Sequence, residues 1–271
     1  MEEPLHGPFD NPSPGDVPLP AAPLVRVLAQ VRFPQYTRFL RSPDAFALDV
    51  ATALSEDYPH FEAGEEANIM IGPDGVTAGM GGVKVWRLRS ADNTWTVSFS
   101  TNFMSIETEA YESRSHFTAR LQEAWETFRS VGAPPSVERI GVRFLNRVEQ
   151  PHVLDNLVTY LRSEISGLVG VHSSKAALLR SMSEALYQFE DDKGFTARWG
   201  LMPAGMTHDA TLPPTAGNSW LLDMDSFHAW HPGTYAGDDI AGVTGELALK
   251  AYQFFRWAVE PSFLQAFGGD I

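Results

Sequence analysis

Two stretches of the chain, residues 24–33 and 137–148, alternate apolar and polar side chains in the way of strands that bury one face. They also share a short echo, Gln-Val-Arg-Phe in the first and Gly-Val-Arg-Phe in the second, which aligns Arg32 with Arg143. Both arginines fall on the polar face of their strand, opposite the valines and phenylalanines. The pattern predicts two related strands that turn their apolar faces towards a core.

The same order of predicted elements follows both strands. The predicted helices and strands cover residues 43–57, 67–72, 82–89, 94–101, 104–109 and 113–131 in the first half, and 154–168, 185–191, 195–202, 220–228 and 239–263 in the second. Strands joined by short turns are expected to pair antiparallel. This order predicts an α+β fold of two pseudo-duplicated units, 24–134 and 135–271. Each unit reads strand, helix, antiparallel meander, helix. We expect mixed or antiparallel sheets covered by helices, with both units packed as one globular body.

Residues 1–23 have a different composition. They contain seven prolines and four acidic residues, with no lysine or arginine. Such a segment favours an extended chain that buries no core of its own. The sequence therefore predicts a disordered Pro-rich acidic tail, and leaves open whether that tail docks on a partner. The tail has neither the basic start nor the apolar run that is typical of a signal peptide.

Charge and residue usage exclude several classes of protein. The 271 residues carry 20 Lys and Arg against 34 Asp and Glu, a net charge of −14, so no nucleic-acid partner is expected. Cysteine is absent, which excludes disulfides, a thiol nucleophile and a cysteine-based zinc site. No apolar run reaches the roughly 18 residues of a membrane span, so no membrane association is expected and the predicted location is the cytoplasm.

The densest group of potential metal ligands is Asp223, Asp225, His228 and His231. In a strand Asp223 and Asp225 share one face, and two carboxylates with imidazoles could hold Mn, Fe or Zn. The spacing is neither H-x-x-x-H nor H-E-x-x-H, and the alternative is that Asp225 begins a turn while both histidines belong to a loop. No metal and no cofactor is therefore predicted, and these four residues are kept as an alternative metal site.

Arg32 and Arg143 are the candidate binding residues. If the two halves are related, both side chains emerge on the same side of two central strands and line a shared positive groove. Such a groove suits a carboxylate or a phosphate. The alternative is that each arginine pairs with a neighbouring Asp or Glu on the polar face of the sheet.

The chain lacks recognised catalytic motifs. It contains no G-x-S-x-G nucleophile elbow and no phosphate-binding loop that leads into a helix. The predicted helix 113–131 carries one apolar stripe of Phe117, Leu121, Trp125 and Phe128, which is typical of a helix packed on a core.

Four short motifs point to a family. They are Pro-Leu-Val-Arg-Val at 23–27, Gln-Val-Arg-Phe-Pro at 30–34, Arg-Ile-Gly-Val-Arg-Phe-Leu-Asn at 139–146 and Leu-Asp-Met-Asp at 222–225. In these motifs the chain resembles a sporadically distributed bacterial family of hypothetical proteins of similar length, and the resemblance covers most of the chain after the tail. That family has no established activity, so the resemblance implies no catalytic residue. Its scattered distribution implies mobile elements or accessory gene clusters.

Two functions from different classes are therefore predicted. The first is a non-catalytic interaction or binding protein, an accessory component of a multi-protein bacterial system associated with mobile elements or defence. It would hold a protein partner or a small anionic ligand on its sheet surface or at the seam between its halves, and a homodimer is compatible with it. The second is a metal-assisted or acid–base enzyme built on Asp223, Asp225 and His228. The lack of a catalytic motif favours the first.

Overall fold

Nine antiparallel strands form one sheet, and the two strands predicted from the alternating pattern lie at its centre. A computed structural model describes residues 7–11, 14–72, 75–171, 173–209 and 211–270, with the backbone alone described for 65–72 and 75–83. The strands are β1 (Leu24–Arg32), β2 (His60–Gly72), β3 (Gly75–Arg89), β4 (Trp95–Ser100), β5 (Phe103–Thr108), β6 (Arg139–Val148), β7 (Ser181–Gln188), β8 (Lys193–Met202) and β9 (Ser219–Ala229). The helices are α1 (Thr37–Arg41), α2 (Pro43–Ala53), α3 (Arg114–Gly132), α4 (Pro151–Leu154), α5 (Leu157–Tyr160), α6 (Ser163–Ser166), α7 (Ile240–Ala258) and α8 (Pro261–Ala266).

The order of strands in the sheet is β2-β3-β4-β5-β1-β6-β9-β8-β7. The central strands β1 and β6 pair antiparallel, with Ala29 opposite Val142 and Arg32 opposite Arg139. From this central pair the first half continues outward through β5, β4, β3 and β2, and the second half through β9, β8 and β7. The predicted α+β class is confirmed, and the two predicted meanders join in one antiparallel sheet.

The apolar face of this sheet carries two clusters of buried side chains beneath the helices. The first core packs β1, β3, β4, β5 and β6 against α2, α3 and the beginning of α7, and its largest residues include Trp86, Trp125 and Phe128. The second core packs β6, β8 and β9 against the rest of α7 and α8, and includes Phe195 and Phe254. Because α7 contributes to both cores, a single helix ties the two halves together.

The structure differs from the predicted helix 154–168. Instead of one helix it has the short turns α4, α5 and α6, followed by a 3₁₀ turn at Gly167–Gly170. Leu161 is extended, with φ −120° and ψ 146°, and forms an isolated antiparallel bridge with Val259. This bridge interrupts the helical hydrogen bonds, so tertiary contact overrides the local helical tendency.

Residues 1–6, 12 and 13 of the predicted disordered tail lie outside the described residues, so disorder of the tail as a whole stays a prediction. Described residues of the tail lie against the second half, where Phe9 and Leu19 pack on the second core. Val17 N donates to Tyr252 Oη at 2.9 Å, and Ala21 N donates to the Phe267 carbonyl at 3.2 Å. An average over composition hides these few apolar side chains, although each one adds buried area when a complementary surface exists.

Within the part of the chain that the structure describes, no helix has the length and apolar character needed to cross a membrane.

Candidate functional site

The face of the sheet opposite the helices is rich in charged side chains. Its centre is Arg143 on β6, which donates from Nε to Asp223 Oδ1 at 2.7 Å and from Nη2 to Asp223 Oδ2 at 2.8 Å. This paired geometry is the strongest form of an arginine–carboxylate contact. Asp223 on β9 is only 2% exposed, so the ion pair is buried.

The described part of the loop between β8 and β9, residues 203–218, covers this ion pair. Asp209 from the loop accepts a third contact from Arg143 Nη1 at 2.8 Å, and His208 Nε2 lies 3.5 Å from Asp223 Oδ2. Arg26 donates to Thr211 Oγ1 at 2.7 Å, and Arg147 donates to the Pro213 carbonyl at 3.0 Å. Arg26 of β1 and Arg147 of β6 thus hold the loop over the sheet. Asp209 and Asp223 occupy the guanidinium of Arg143 that an anionic ligand would need.

The electrostatics explain why this buried cluster is charged. Burial disfavours the carboxylate of Asp223, but Arg143 and a hydrogen bond from His208 outweigh burial and hold the pKa of Asp223 at about 2. Burial likewise opposes the charge of Asp209, and Arg143 and Thr211 still lower its pKa. In return Asp223 and Asp209 overcome the burial of Arg143 and raise its pKa.

Asp225 has a different environment from Asp223, although the two residues share a strand face. Burial raises the pKa of Asp225, the neighbouring Asp223 raises it further, and Arg139 opposes both. Arg139 Nη2 lies 3.3 Å from Asp225 Oδ2, a looser contact than those of Arg143. The side chain of Arg139 also lies over the Phe227 ring, 4.7 Å from its centroid, and Nη1 crosses Gly141, where a Cβ would come within 2.7 Å.

Arg32 and Arg143 lie on the same face of the sheet but are not brought together. Arg143 is opposite Leu28 in the β1–β6 register, and Arg32 is four residues further along β1, a separation of about 13 Å. The residue opposite Arg32 is Arg139. Burial and this second cation lower the pKa of Arg32, while Glu138 opposes them. Among the described residues Arg32 forms no ion pair within 4 Å, whereas Arg143 is engaged by two aspartates.

The structure does not gather the four alternative metal ligands. Asp223 and Asp225 lie on the polar face, whereas His228 is opposite the core residue Ile140, on the other face of the sheet. The His228 ring lies against the Trp230 ring, with centroids 3.8 Å apart and planes tilted by 32°. His231 follows the strand in an exposed loop. No three His, Asp or Glu side chains in the described ranges come close enough together to hold a metal ion.

A cavity of about 500 Å³ lies on the helix side of the sheet, at the seam between the halves. Its apolar wall comes from the centre of the sheet and from one face of α7, with Phe144, Met224, Ala248, Ala251 and Phe255. The turn before α3 forms a second wall, and the tail, including Val17 and Leu19, forms a third. The volume lies within the range of ~300–1,000 Å³ that is usual for small-ligand sites.

Polar groups reach the seam cavity from β6, from the turn before α3 and from the tail. Asn146 on β6 is 6% exposed, and its amide makes one long hydrogen bond, 3.5 Å from Nδ2 to the Leu222 carbonyl. Tyr111, whose pKa burial raises to about 12, stays neutral at physiological pH. Around the rim are Asp16, Glu109, Glu112 and Arg114, three acids and one base, and Arg114 Nη2 lies 3.1 Å from Asp16 Oδ1.

Sequence reasoning missed this cavity because its walls come from segments far apart in the chain. The local signal was the placement of Ala248 and Ala251 on the core face of α7, where small side chains leave space between the helix and the sheet. His208 and Asp209, which complete the Arg143 cluster, also escaped prediction because they belong to a loop without periodic pattern.

Comparisons with known proteins give no assignment: no protein-family model, no curated protein and no solved structure matches this chain.

Proposed function

We propose that the protein is a non-catalytic binding protein that holds a small ligand in the seam cavity. The observation that carries this proposal is the cavity itself, an apolar space of about 500 Å³ beside one buried amide. The proposed ligand site lies at the seam between the halves, one of the two places predicted from the sequence. It replaces the predicted Arg32–Arg143 groove, because Arg143 is engaged by Asp223 and Asp209.

The ligand class follows from the lining of the seam cavity. An apolar body would contact Phe144, Met224 and Phe255, and one hydrogen-bonding group would face Asn146. The rim has three acids against one arginine, and that arginine is paired with Asp16. A neutral or cationic polar end therefore suits the site better than the anionic ligand expected from sequence, since an anion would approach a negative rim.

The test is titration of the full chain with N-phenyl-1-naphthylamine, a neutral apolar dye whose fluorescence rises in apolar surroundings. We expect saturable binding with one site per chain. Ala251→Phe places a ring inside the cavity and should weaken binding at least tenfold. Ala248→Leu fills less space and should give a smaller loss.

The matched control is Ala53→Phe at the exposed end of α2, which should bind the dye as the native chain does. The proposal fails if the native chain shows no saturable site, or if Ala251→Phe binds equally well while its circular dichroism is unchanged.

We further propose that the two halves arose by duplication and that the protein is an accessory component of a bacterial multi-protein system. The outward orders β1-β5-β4-β3-β2 and β6-β9-β8-β7 follow one scheme, with one additional strand at the edge of the first half. In each half a long helix, α3 or α7, follows the last strand in the chain, and both features support the duplication. The metal-assisted or acid–base alternative is the weaker proposal, because His228 lies on the opposite face of the sheet from Asp223 and Asp225.

A further inference from the structure

The N-terminal tail is captured by side chains of α7 that bind its backbone. Gln253 Nε2 donates to the Asn11 carbonyl at 2.8 Å. Tyr252 Oη donates to the Gly15 carbonyl at 3.0 Å and accepts from Val17 N at 2.9 Å. No described residue before Leu24 belongs to the sheet. The capture of a Pro-rich segment by aromatic and polar side chains is a recurrent mode of peptide recognition.

One aromatic ring anchors the tail. The Phe9 ring lies in a box of four rings, with centroid distances of 5.1 Å to Tyr187, 4.9 Å to Phe189, 5.3 Å to Phe195 and 6.3 Å to Phe254. Three of these contacts are edge-to-face, the favoured geometry of aromatic pairs. The box thus supplies the side-chain selectivity that backbone hydrogen bonds lack.

The groove also matches the charge of the tail. Arg114 pairs with Asp16, and Arg256 Nη1 donates to the Gly15 carbonyl at 2.5 Å. Lys250 Nζ lies 5.9 Å from the centroid of Phe9. These three cations line an acidic segment within a chain of net charge −14.

The described part of the tail leaves two polar atoms of the groove without a hydrogen bond. Gln253 Oε1 and Arg256 Nε are buried and have no hydrogen-bond partner among the described residues. A buried polar atom without a partner costs stability. Among the described residues the tail therefore leaves these two polar atoms available to another occupant of the groove.

We propose that Tyr252, Gln253, Arg256 and the aromatic box form a peptide-recognition groove for Pro-rich, acidic segments that carry one aromatic ring in a turn, and that the chain's own tail occupies it in cis. The tail also forms one wall of the seam cavity. Tyr252 lines the same cavity, so the groove and the seam cavity share a wall. The groove is tested without a ligand in the cavity.

The experiment measures fluorescence anisotropy of a labelled synthetic peptide of residues 7–22. Its host is the full chain carrying Phe9→Ala and Leu19→Ala, which weaken the cis tail. We expect saturable binding to this host. Binding to the native chain should be at least tenfold weaker, because its tail competes at high effective concentration.

Two substitutions establish where the peptide binds. Tyr252→Phe in the host removes both hydrogen bonds between the hydroxyl and the tail, together with the one from Arg256 Nη1, and should weaken binding about tenfold. The control, Tyr36→Phe, removes a hydroxyl of the first core with no partner among the described residues, and should leave the affinity unchanged. A peptide with Phe9→Ala should not bind.

A second measurement keeps the test decisive if the double variant does not fold. The chain has no cysteine, so Asp10→Cys in the otherwise native tail accepts a single environment-sensitive dye. Excess native peptide should displace the tail and change the dye signal saturably. The proposal is overturned if neither measurement detects the peptide, or if the Phe9→Ala peptide acts as well as the native one.

Discussion

The two cores are completed in different ways. The first core is closed by elements that follow the chain order, with α2 and α3 over β1, β4 and β5, and the start of α7 as its last contribution. The second core lies under α7 and α8 and is completed by Phe9 and Leu19, from the opposite end of the chain. On its polar face the second half also contains the buried pair Arg143–Asp223, whereas Arg32 of the first half is paired with no acid among the described residues.

This difference assigns stability to the first core and binding to the second half. In the first core the rings of Trp125 and Phe128 are stacked, with an interplanar angle of 15° and centroids 5.9 Å apart. No part of a core packed in this way can detach without unfolding the domain. A core that depends on a short segment held mostly by side-chain contacts can lose that segment locally. Both proposed binding sites, the seam cavity and the tail groove, accordingly adjoin the second half.

The largest effect is expected in the first core. Trp125 is 0% exposed, and its Nε1 donates to the Gly237 carbonyl at 2.8 Å. Trp125→Ala should lower the free energy of unfolding by about 4 kcal/mol, through lost burial and an unfilled cavity. Urea denaturation followed by circular dichroism measures it. Trp125→Phe keeps most of the volume and should cost less. A near-neutral alanine variant would mean that the first core is no better packed than the second.

The next effect concerns the polar face of the second half. Asp223→Asn removes the closest charge partner of the partly buried Arg143. It should lower the free energy of unfolding by about 3 kcal/mol at pH 7. Asp225→Asn is the matched control on the same strand face, and should be close to neutral because burial already disfavours the Asp225 carboxylate and raises its pKa. Equal denaturation midpoints for the two variants would contradict the assigned difference between these aspartates.

The pH dependence sharpens that contrast. The pKa of Asp223 is about 2 in the folded chain, below the ordinary value of ~3.9. The contribution of the Asp223 carboxylate to the free energy of unfolding is therefore complete above pH ~4 and is lost as the pH falls towards 2. Urea denaturation midpoints of the native chain and Asp223→Asn are compared at pH 7, 5, 4 and 3. The difference between the two midpoints should become smaller only at the most acidic of these pH values. A constant difference over this range would argue against the ion pair.

The smallest effect is expected at the tail. Phe9→Ala removes the edge-to-face contacts in the aromatic box and should cost about 2 kcal/mol. Hydrogen exchange should show the loss mainly in β8 and the second half of α7, with α3 unchanged. An equal loss of exchange protection in α3 would show that the two cores open together, which would contradict a second core that opens on its own.

Sequence pattern alone determined the elements that alternate or repeat regularly. The central strands, the faces on which Arg32 and Arg143 lie, and the stripe from Phe117 to Phe128 follow from periods of two and 3.6, because those periods are local properties of the backbone. The α+β class followed from the order of such elements. The same reasoning failed at residues 154–168, where the Leu161–Val259 bridge is a contact between distant segments.

Only the tertiary structure decided which side chains meet. Asp209 and His208 reach Arg143 and Asp223 from an irregular loop, and the register of two strands places Arg139 opposite Arg32. The tail, acidic and Pro-rich on average, docks because a few apolar residues find a surface formed by α7 and β8. The seam cavity exists because segments more than a hundred residues apart converge around two alanines. Distances of this kind depend on packing between elements, and periodicity along a single chain carries no information about them.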